Sequence, residues 1–167
     1  MIVTIDVHYK EDYAKTVLLF FENWQSETPT NVITHITKDV LPYEPGSFYK
    51  RELPCILNAL EETTLEAIEF IIVDGHIYVD NDGQYGLGGH LYEALDKKFP
   101  IIGVAKTSFQ SNKETVVEIL RGESKNPLYV SAIGLEKEVA ASQIQNMYGA
   151  YRLPHLLKLM DQITKEA

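Results

Sequence analysis

One run of large apolar residues, Ile68–Gly75 (I-E-F-I-I-V-D-G), constrains the fold more than any other part of the chain. The run is short, contains successive β-branched residues and closes with Asp-Gly, a turn signal. These features predict a strand that is buried on both faces, at the centre of a parallel or mixed sheet. In open α/β sheets, functional groups lie just beyond the carboxyl ends of such strands. We therefore expect Asp74 to belong to a functional site.

The segments around this strand alternate between strand and helix patterns. Period-2 alternation predicts strands near the N-terminus, and apolar residues at helical spacing predict helices later in the chain. The predicted strands are Met1–Tyr9, Ala14–Glu22, Asn31–Lys38, 101–106, Thr115–Leu120 and Leu128–Ala132. The predicted helices are Leu53–Glu62, Leu87–Lys98, Val139–Tyr148 and Leu153–Lys165, with a possible small hairpin at His76–Gln84.

This order of elements predicts the fold class. Three strands joined by short loops indicate an antiparallel meander, and the strands and helices that follow indicate a mixed sheet flanked by helices. A chain of 167 residues is most simply one α/β domain spanning residues 1–167. The order matches the ribonuclease H-like arrangement, although several α/β folds begin in a similar way.

Composition limits the class of protein. No apolar run reaches the roughly 20 residues of a membrane helix, and the N-terminus lacks the pattern of a signal peptide. A lone cysteine, Cys55, fits a reducing cytoplasm. The formal charge of −9 argues against non-specific coating of nucleic acid, but it leaves room for an enzyme that uses metal ions and a local basic patch.

Three acidic residues occupy suggestive positions: Asp6 in the first strand, Glu52 near the first helix start and Asp74 at the end of the central strand. If the first and central strands are neighbours, these carboxylates can meet. Clustered carboxylates repel each other unless a cation holds them, and Mg²⁺ or Mn²⁺ suits an all-oxygen site. The alternative is that these residues serve as ordinary turn and helix-start residues.

Five segments of the chain match motifs of a known family in order and spacing. They are T-I-D-V at 4–7, P-Y-E-P-G-S-F-Y-K-R-E at 42–52, I-I-V-D-G at 71–75, I-G-V-A-K at 102–106 and Y-R-L-P at 151–154. The chain therefore resembles endonuclease V, a family that cuts nucleic acid near deaminated adenine (inosine).

The resemblance implies roles for individual residues. Asp6, Glu52 and Asp74 would be the metal-binding and catalytic acids, and Lys106 would lie near the scissile phosphate. Such a lysine could neutralise charge that develops on the phosphate or the leaving group. The alternative for Lys106 is a solvated lysine at a strand end.

The resemblance also implies a set of nucleic-acid-binding residues. The loop around Tyr43, between two prolines, would be a wedge that separates strands, with the tyrosine ring free to stack on a base. Glycines without side chains would border a pocket for the extruded base, and basic residues would hold phosphates. The predicted set is Tyr43, Gly46, Ser47, Lys50, Arg51, Gly75 and His90.

The chain also departs from the family pattern. After the central strand the family usually continues D-G-x-G-x-x-H-P-R, whereas this chain has Ile77 at the second glycine and no H-P-R. The histidine that many members carry after an S-P-G segment is also missing from S-A-I-G-L at 131–135. Losing basic residues while gaining Asp80 and Asp82 should weaken phosphate binding.

These observations lead to a principal hypothesis and two alternatives. The principal one is a Mg²⁺-dependent endonuclease that hydrolyses a phosphodiester near inosine in DNA or RNA, in the cytoplasm and without a membrane partner. The departures leave open a catalytically weakened relative that binds nucleic acid or a protein. A hydrolase of a small phosphoester or nucleotide is the third reading.

Overall fold

The computed structural model describes residues 1–40, 42, 45 and 49–166. Within this part of the chain, seven strands form one sheet. The strands are β1 (Ile2–Tyr9), β2 (Tyr13–Phe21), β3 (Asn31–Lys38), β4 (Phe70–Asp74), β5 (Ile101–Ala105), β6 (Val117–Ile119) and β7 (Leu128–Ile133).

The order of the strands is β3-β2-β1-β4-β5-β7-β6. Strands β1, β2 and β3 pair in antiparallel fashion, so the predicted N-terminal meander is confirmed. Strand β4 lies parallel to both β1 and β5, and β7 runs antiparallel to β5 and β6. The carboxyl ends of β1, β4 and β5 therefore meet at one edge of the sheet.

Helices cover both faces of the sheet. They are α1 (Tyr49–Leu60), α2 (Leu87–Ala94), α3 (Lys137–Gln145) and α4 (His155–Lys165). Helices α1 and α2 pack on the face that contains Ile71 and Val73, and α3 and α4 pack on the face that contains Ile72. Because side chains alternate along a strand, β4 contributes to both cores, as its apolar run predicted.

The ends of the first two helices differ from the predictions. Helix α1 begins at Tyr49 instead of Leu53, so Pro54 lies inside the helix and not in its first turn. Its missing N–H would have bonded the Lys50 carbonyl, so the helix loses one hydrogen bond near its start. Helix α2 ends before the predicted Lys98 because Asp96 and Lys97 have positive φ angles of 58° and 59°.

Other boundaries also shift. A short 3-10 helix at Gln110–Thr115 leaves β6 shorter than the predicted strand at Thr115–Leu120. The connection between helices α3 and α4 is longer than predicted. The buried side chain of Arg121 binds backbone carbonyls of this connection and holds them in a non-helical path. The predicted hairpin is confirmed by an antiparallel bridge between Tyr78 and Tyr85.

No helix in the described ranges is long and apolar enough to cross a membrane.

Candidate metal and nucleic-acid site

Two predicted acids lie side by side because of the strand register. Strands β1 and β4 are parallel, with Ile5 opposite Val73. The next residues along these strands are Asp6 and Asp74, which therefore extend from the same edge of the sheet. The sheet thus brings together two carboxylates that are far apart in sequence.

Helix α1 brings the third acid to the same place. Glu52 lies in the first turn of α1, where the helix dipole favours a negative charge, and its side chain is 8% exposed. One cleft of about 530 Å³ is lined by Asp6, Glu52 and Asp74, together with Gly75 and Lys106. The structure therefore places all three predicted metal ligands around one space.

The electrostatics of the cleft follow from this crowding. Burial raises the pKa of Glu52 to about 8, and the negative charges of Asp6 and Asp74 add to the effect. Burial also raises the pKa of Asp6 to about 7, with a further contribution from Asp74 and opposition from a hydrogen bond to Thr164. Because of this burial and repulsion, both carboxyls are partly protonated near neutral pH.

Asp74 is more open to solvent than the other two acids. Its pKa is also raised, mainly by partial desolvation within the concave site, while the charge of Lys106 lowers it. Lys106 follows the last residue of β5 and is exposed. The predicted lysine is thus close enough to act on the charge of Asp74.

Hydrogen bonds hold Asp6 and Lys106 in position. The Thr164 hydroxyl, on α4, donates to Asp6 Oδ2 at 3.1 Å, and the Val7 backbone N–H donates to Asp6 Oδ1 at 3.0 Å. Arg152 Nη2 donates to the Lys106 carbonyl oxygen at 2.8 Å. The Y-R-L-P segment therefore supports the chain that carries the lysine.

A fourth acid at the site was missed by the sequence analysis. Asp161, on α4, lines a small cavity shared with Asp6, Asp74 and Lys106. Its charge raises the pKa of both aspartates, while Lys165 Nζ lies 3.1 Å from its Oδ2 atom. Its position four residues after the buried Leu157 was the signal, since it places the acid beside the apolar face of the helix.

The donor atoms suit a hard divalent cation. Aspartate and glutamate oxygens are the ligands that Mg²⁺ and Mn²⁺ prefer, and a cation would offset both the burial and the repulsion that raise these pKa values. Within residues 1–40, 42, 45 and 49–166, however, no three Asp, Glu, His or Cys side chains are placed so that they could hold a metal ion as they stand. The chemistry of the acids fits a cation, and their side chains would have to move inward to ligate it.

The predicted nucleic-acid-binding residues are more scattered. Tyr43, Gly46 and Ser47 lie outside the described residues. Gly75 lines the acidic cleft, has a φ of 136° and donates its N–H to the Val104 carbonyl oxygen at 3.0 Å. Such a φ angle favours glycine, so this backbone can approach a ligand closely.

The predicted basic residues lie on α1 and α2, and none is among the described residues that line the acidic cleft. Lys50 is exposed in the first turn of α1. The Arg51 guanidinium lies 3.5 Å from the centre of the Tyr9 ring, a cation–π contact. The His90 ring, on α2, stacks on Tyr49 with centroids 3.6 Å apart and so joins the two helices.

His76 is a further residue of the cleft to which the sequence assigned no function. It follows Asp74-Gly75, is 9% exposed, and its Nε2 atom lies 2.8 Å from the Thr107 carbonyl oxygen. Burial lowers its pKa, so the imidazole is neutral at physiological pH. A neutral histidine beside the acids adds no positive charge of the kind that the missing H-P-R would supply.

Comparison with known proteins gives a consistent result. The sequence model of the endonuclease V family matches residues 1–162. The endonuclease V of Dehalococcoides mccartyi is 31% identical over 140 residues, which cover 71% of this chain and 60% of that protein. The chain thus spans about three fifths of the length of this relative.

Solved structures share the fold. A Ciona intestinalis endonuclease V, in complex with a 24mer DNA containing an inosine followed by a ribo-adenosine, superimposes with a TM-score of 0.77 at 16% identity. The match covers 98% of this chain and 84% of that one. Human ENDOV superimposes with a TM-score of 0.73 at 19% identity, over 98% of this chain and 82% of that one. The predicted ribonuclease H-like fold is confirmed.

Proposed function

Because the chain belongs to the endonuclease V family, we propose that it is a divalent-metal-dependent endonuclease that hydrolyses a phosphodiester near inosine in DNA or RNA. One observation in the structure carries the proposal most directly. Three carboxylates from β1, α1 and β4 line one cleft, where burial raises the pKa of each and the charge of Asp74 raises the pKa of the other two further. The inosine-containing DNA bound by the Ciona relative supports the choice of substrate.

In this proposal, Asp6, Glu52 and Asp74 hold Mg²⁺ or Mn²⁺. A bound cation would lower the pKa of a coordinated water and neutralise charge on the phosphate. Asp161 lines a small cavity together with Asp6 and Asp74 and is available as a further ligand or as an acceptor for a water proton. The residues alone support phosphodiester hydrolysis, and the family membership adds the deaminated base.

Other residues of the chain position the substrate. Lys106, exposed at the end of β5, would neutralise charge on the scissile phosphate or the leaving group. Gly75 allows the backbone to approach an extruded base. The predicted roles of Tyr43, Gly46 and Ser47, and of Lys50, Arg51 and His90, remain part of the proposal on the strength of the motif alone.

The buried free thiol of Cys55 supports a location in the reducing cytoplasm, where the enzyme would take part in the repair of deaminated nucleic acid.

Cleavage of end-labelled oligonucleotides tests the function. Single- and double-stranded substrates, each with one inosine, should be cut one nucleotide to the 3′ side of the lesion with Mg²⁺ or Mn²⁺ and stay intact with EDTA. The Asp74→Asn variant should lose cleavage by about 100-fold or more, since loss of outer-shell support alone costs 10–100-fold. Retained cleavage by this variant would contradict the proposed role of the acids.

A matched control makes the same chemical change away from the cleft. Asp96 is exposed and follows α2, at the end of the sheet opposite the cleft. It has a positive φ angle that asparagine tolerates. The Asp96→Asn variant should therefore cut like the parent. If the folded parent binds the cation and still cuts no inosine substrate, the weakened, binding-only relative becomes the better reading.

A further inference from the structure

The connection between α3 and α4 presents two tyrosine rings to solvent. Tyr151 is 80% exposed and Tyr148 is 46% exposed, so two aromatic rings lie close together in sequence on one exposed surface. Tyr151 belongs to the Y-R-L-P segment, and the proposed chemistry gives its side chain no role. An exposed ring of this kind is a natural platform for a nucleic-acid base.

A buried arginine holds this connection rigidly. Arg121, 4% exposed, donates through Nη2 to the carbonyl oxygens of Met147 at 2.6 Å and Gly149 at 3.0 Å. Its Nη1 atom donates to the Tyr151 carbonyl oxygen at 2.5 Å. Because the backbone on both sides of the rings is bound, ordering Tyr151 against a ligand costs little conformational entropy.

The surface around the rings carries positive charge. A groove of about 940 Å³ runs along the connection and the start of α4, and no acidic side chain is among the described residues that line it. This is notable in a chain with a formal charge of −9. We call this surface the tyrosine groove and define it by Tyr148, Tyr151, Arg152, His155, Lys158 and Gln162.

The tyrosine groove adjoins the acidic site. Leu153 lines both the groove and the cavity that contains Asp6 and Asp74. Lys158 and Gln162 of the groove also line a shallow surface that includes Asp161. A strand cut at the acids could therefore extend directly onto the groove.

We propose that the tyrosine groove binds a single-stranded segment of the nucleic acid, next to the nucleotides at the acidic site. A base stacks on the Tyr151 ring, and the exposed Lys158 ammonium contacts a phosphate. The inference rests on the proposed function, because it needs a nucleic acid at the acidic site. It adds a second nucleic-acid-binding surface, which is far in sequence from the predicted wedge loop around Tyr43.

Equilibrium binding tests the inference without cleavage. Fluorescence anisotropy of labelled single-stranded DNA and RNA, in EDTA, gives the dissociation constant of the parent and each variant. Tyr151→Ala should weaken binding about fivefold to 100-fold, and Tyr151→Phe should bind like the parent because it keeps the ring. Lys158→Ala should reduce the slope of log K against log salt by about 0.7, as expected for one lost phosphate contact.

The control variant is Ile36→Ala, which shortens another exposed apolar side chain, 44% exposed, on the edge strand β3. It should bind like the parent. If the parent binds and Tyr151→Ala binds equally well, the inference is wrong while the proposed function stands. If the parent binds no nucleic acid at all, the proposed function fails and the inference fails with it.

The exposed aromatic rings could instead be covered by a second copy of the chain. Analytical ultracentrifugation of the parent and Tyr151→Ala distinguishes it. A dimer that becomes a monomer in the variant, with unchanged binding of the oligonucleotide, would overturn the inference.

Discussion

At the scale of single residues, the acids of the cleft are a source of instability that function explains. A carboxyl whose pKa is higher in the folded chain than in the unfolded chain binds its proton more tightly when folded. Its stabilising contribution is therefore present below the ordinary values of 3.8 for Asp6 and 4.5 for Glu52. It is lost as the pH rises through about 7 for Asp6 and about 8 for Glu52.

The upward direction of these pKa shifts predicts how the free energy of unfolding depends on pH and metal. Without metal, the free energy of unfolding should fall from about pH 4, where these carboxyls ionise in the unfolded chain, to about pH 8, where they have ionised in the folded chain. Excess Mg²⁺ or Mn²⁺ should reverse much of the loss by binding the ionised acids. Asp6→Asn should raise the stability of the metal-free protein near pH 8 by roughly 1–3 kcal/mol and reduce the stabilisation by metal. Thermal melts with EDTA or metal measure both effects. Equal metal stabilisation of the parent and Asp6→Asn would contradict the prediction.

At the scale of elements, α4 joins the active edge of the sheet to the N-terminal hairpin. The buried Lys15 of β2 donates through Nζ to the Ile163 carbonyl oxygen at 2.6 Å and to that of Glu166 at 3.2 Å. These carbonyls belong to the last turn of the helix and its cap, where the regular hydrogen bonds of the helix run out. The Ile163 carbonyl oxygen also accepts from the Glu166 N–H at 3.3 Å. The charge of Lys15 also suits the negative end of the helix dipole. The same last turn carries Thr164, which holds Asp6.

We therefore expect Lys15→Met to loosen the end of α4. It should lower the free energy of unfolding by about 1.5–3 kcal/mol, as for a lost charged hydrogen bond, and speed amide hydrogen exchange around Thr164. Lys10→Met removes a more exposed lysine that also donates to the carbonyls of Lys165 and Glu166, and it should cost about 0.5 kcal/mol or less. Urea denaturation and hydrogen exchange measure the two effects. Similar small costs for both variants would show that the buried lysine has no special role.

At the scale of the whole molecule, a network of hydrogen bonds from two arginines joins the edge strand β6 to the site. Arg121 follows β6 and binds the connection between α3 and α4, and Arg152 of that connection binds the carbonyl oxygen of Lys106 at 2.8 Å. Arg152 Nη2 also donates to the Pro127 carbonyl oxygen at 2.7 Å. Through hydrogen bonds to backbone carbonyls, the network links the edge strand β6 to the end of β5, where Lys106 lies.

Arg121→Met tests this long-range role. The variant removes the donor from one buried and several partly buried carbonyls, so the free energy of unfolding should fall by about 2–5 kcal/mol. The matched control Lys125→Met changes an exposed cation nearby and should stay within about 0.5 kcal/mol of the parent. Urea denaturation measures both variants. A loss below about 0.5 kcal/mol for Arg121→Met would contradict the structural role of the arginine.

Local patterns in the sequence determined the framework of the protein. Alternation and apolar runs predicted the strands of the meander and the buried β4, because side-chain period and burial are properties of each segment by itself. The motif segments identified Asp6, Glu52 and Asp74, which the structure places around one cleft. Helix ends were less predictable, since Asp96 and Lys97 end α2 through backbone angles that no residue pattern announced.

The tertiary structure alone decided which distant residues complete the site. Thr164 bonds Asp6 across 158 positions of sequence, and Lys15 bonds Ile163 across 148. Asp161 and the tyrosine groove come close to the site in the same way, through the docking of α4 beside the ends of β1 and β4. Such contacts depend on strand order and helix packing, and these are set by the burial of both faces of the sheet together, which no short segment encodes.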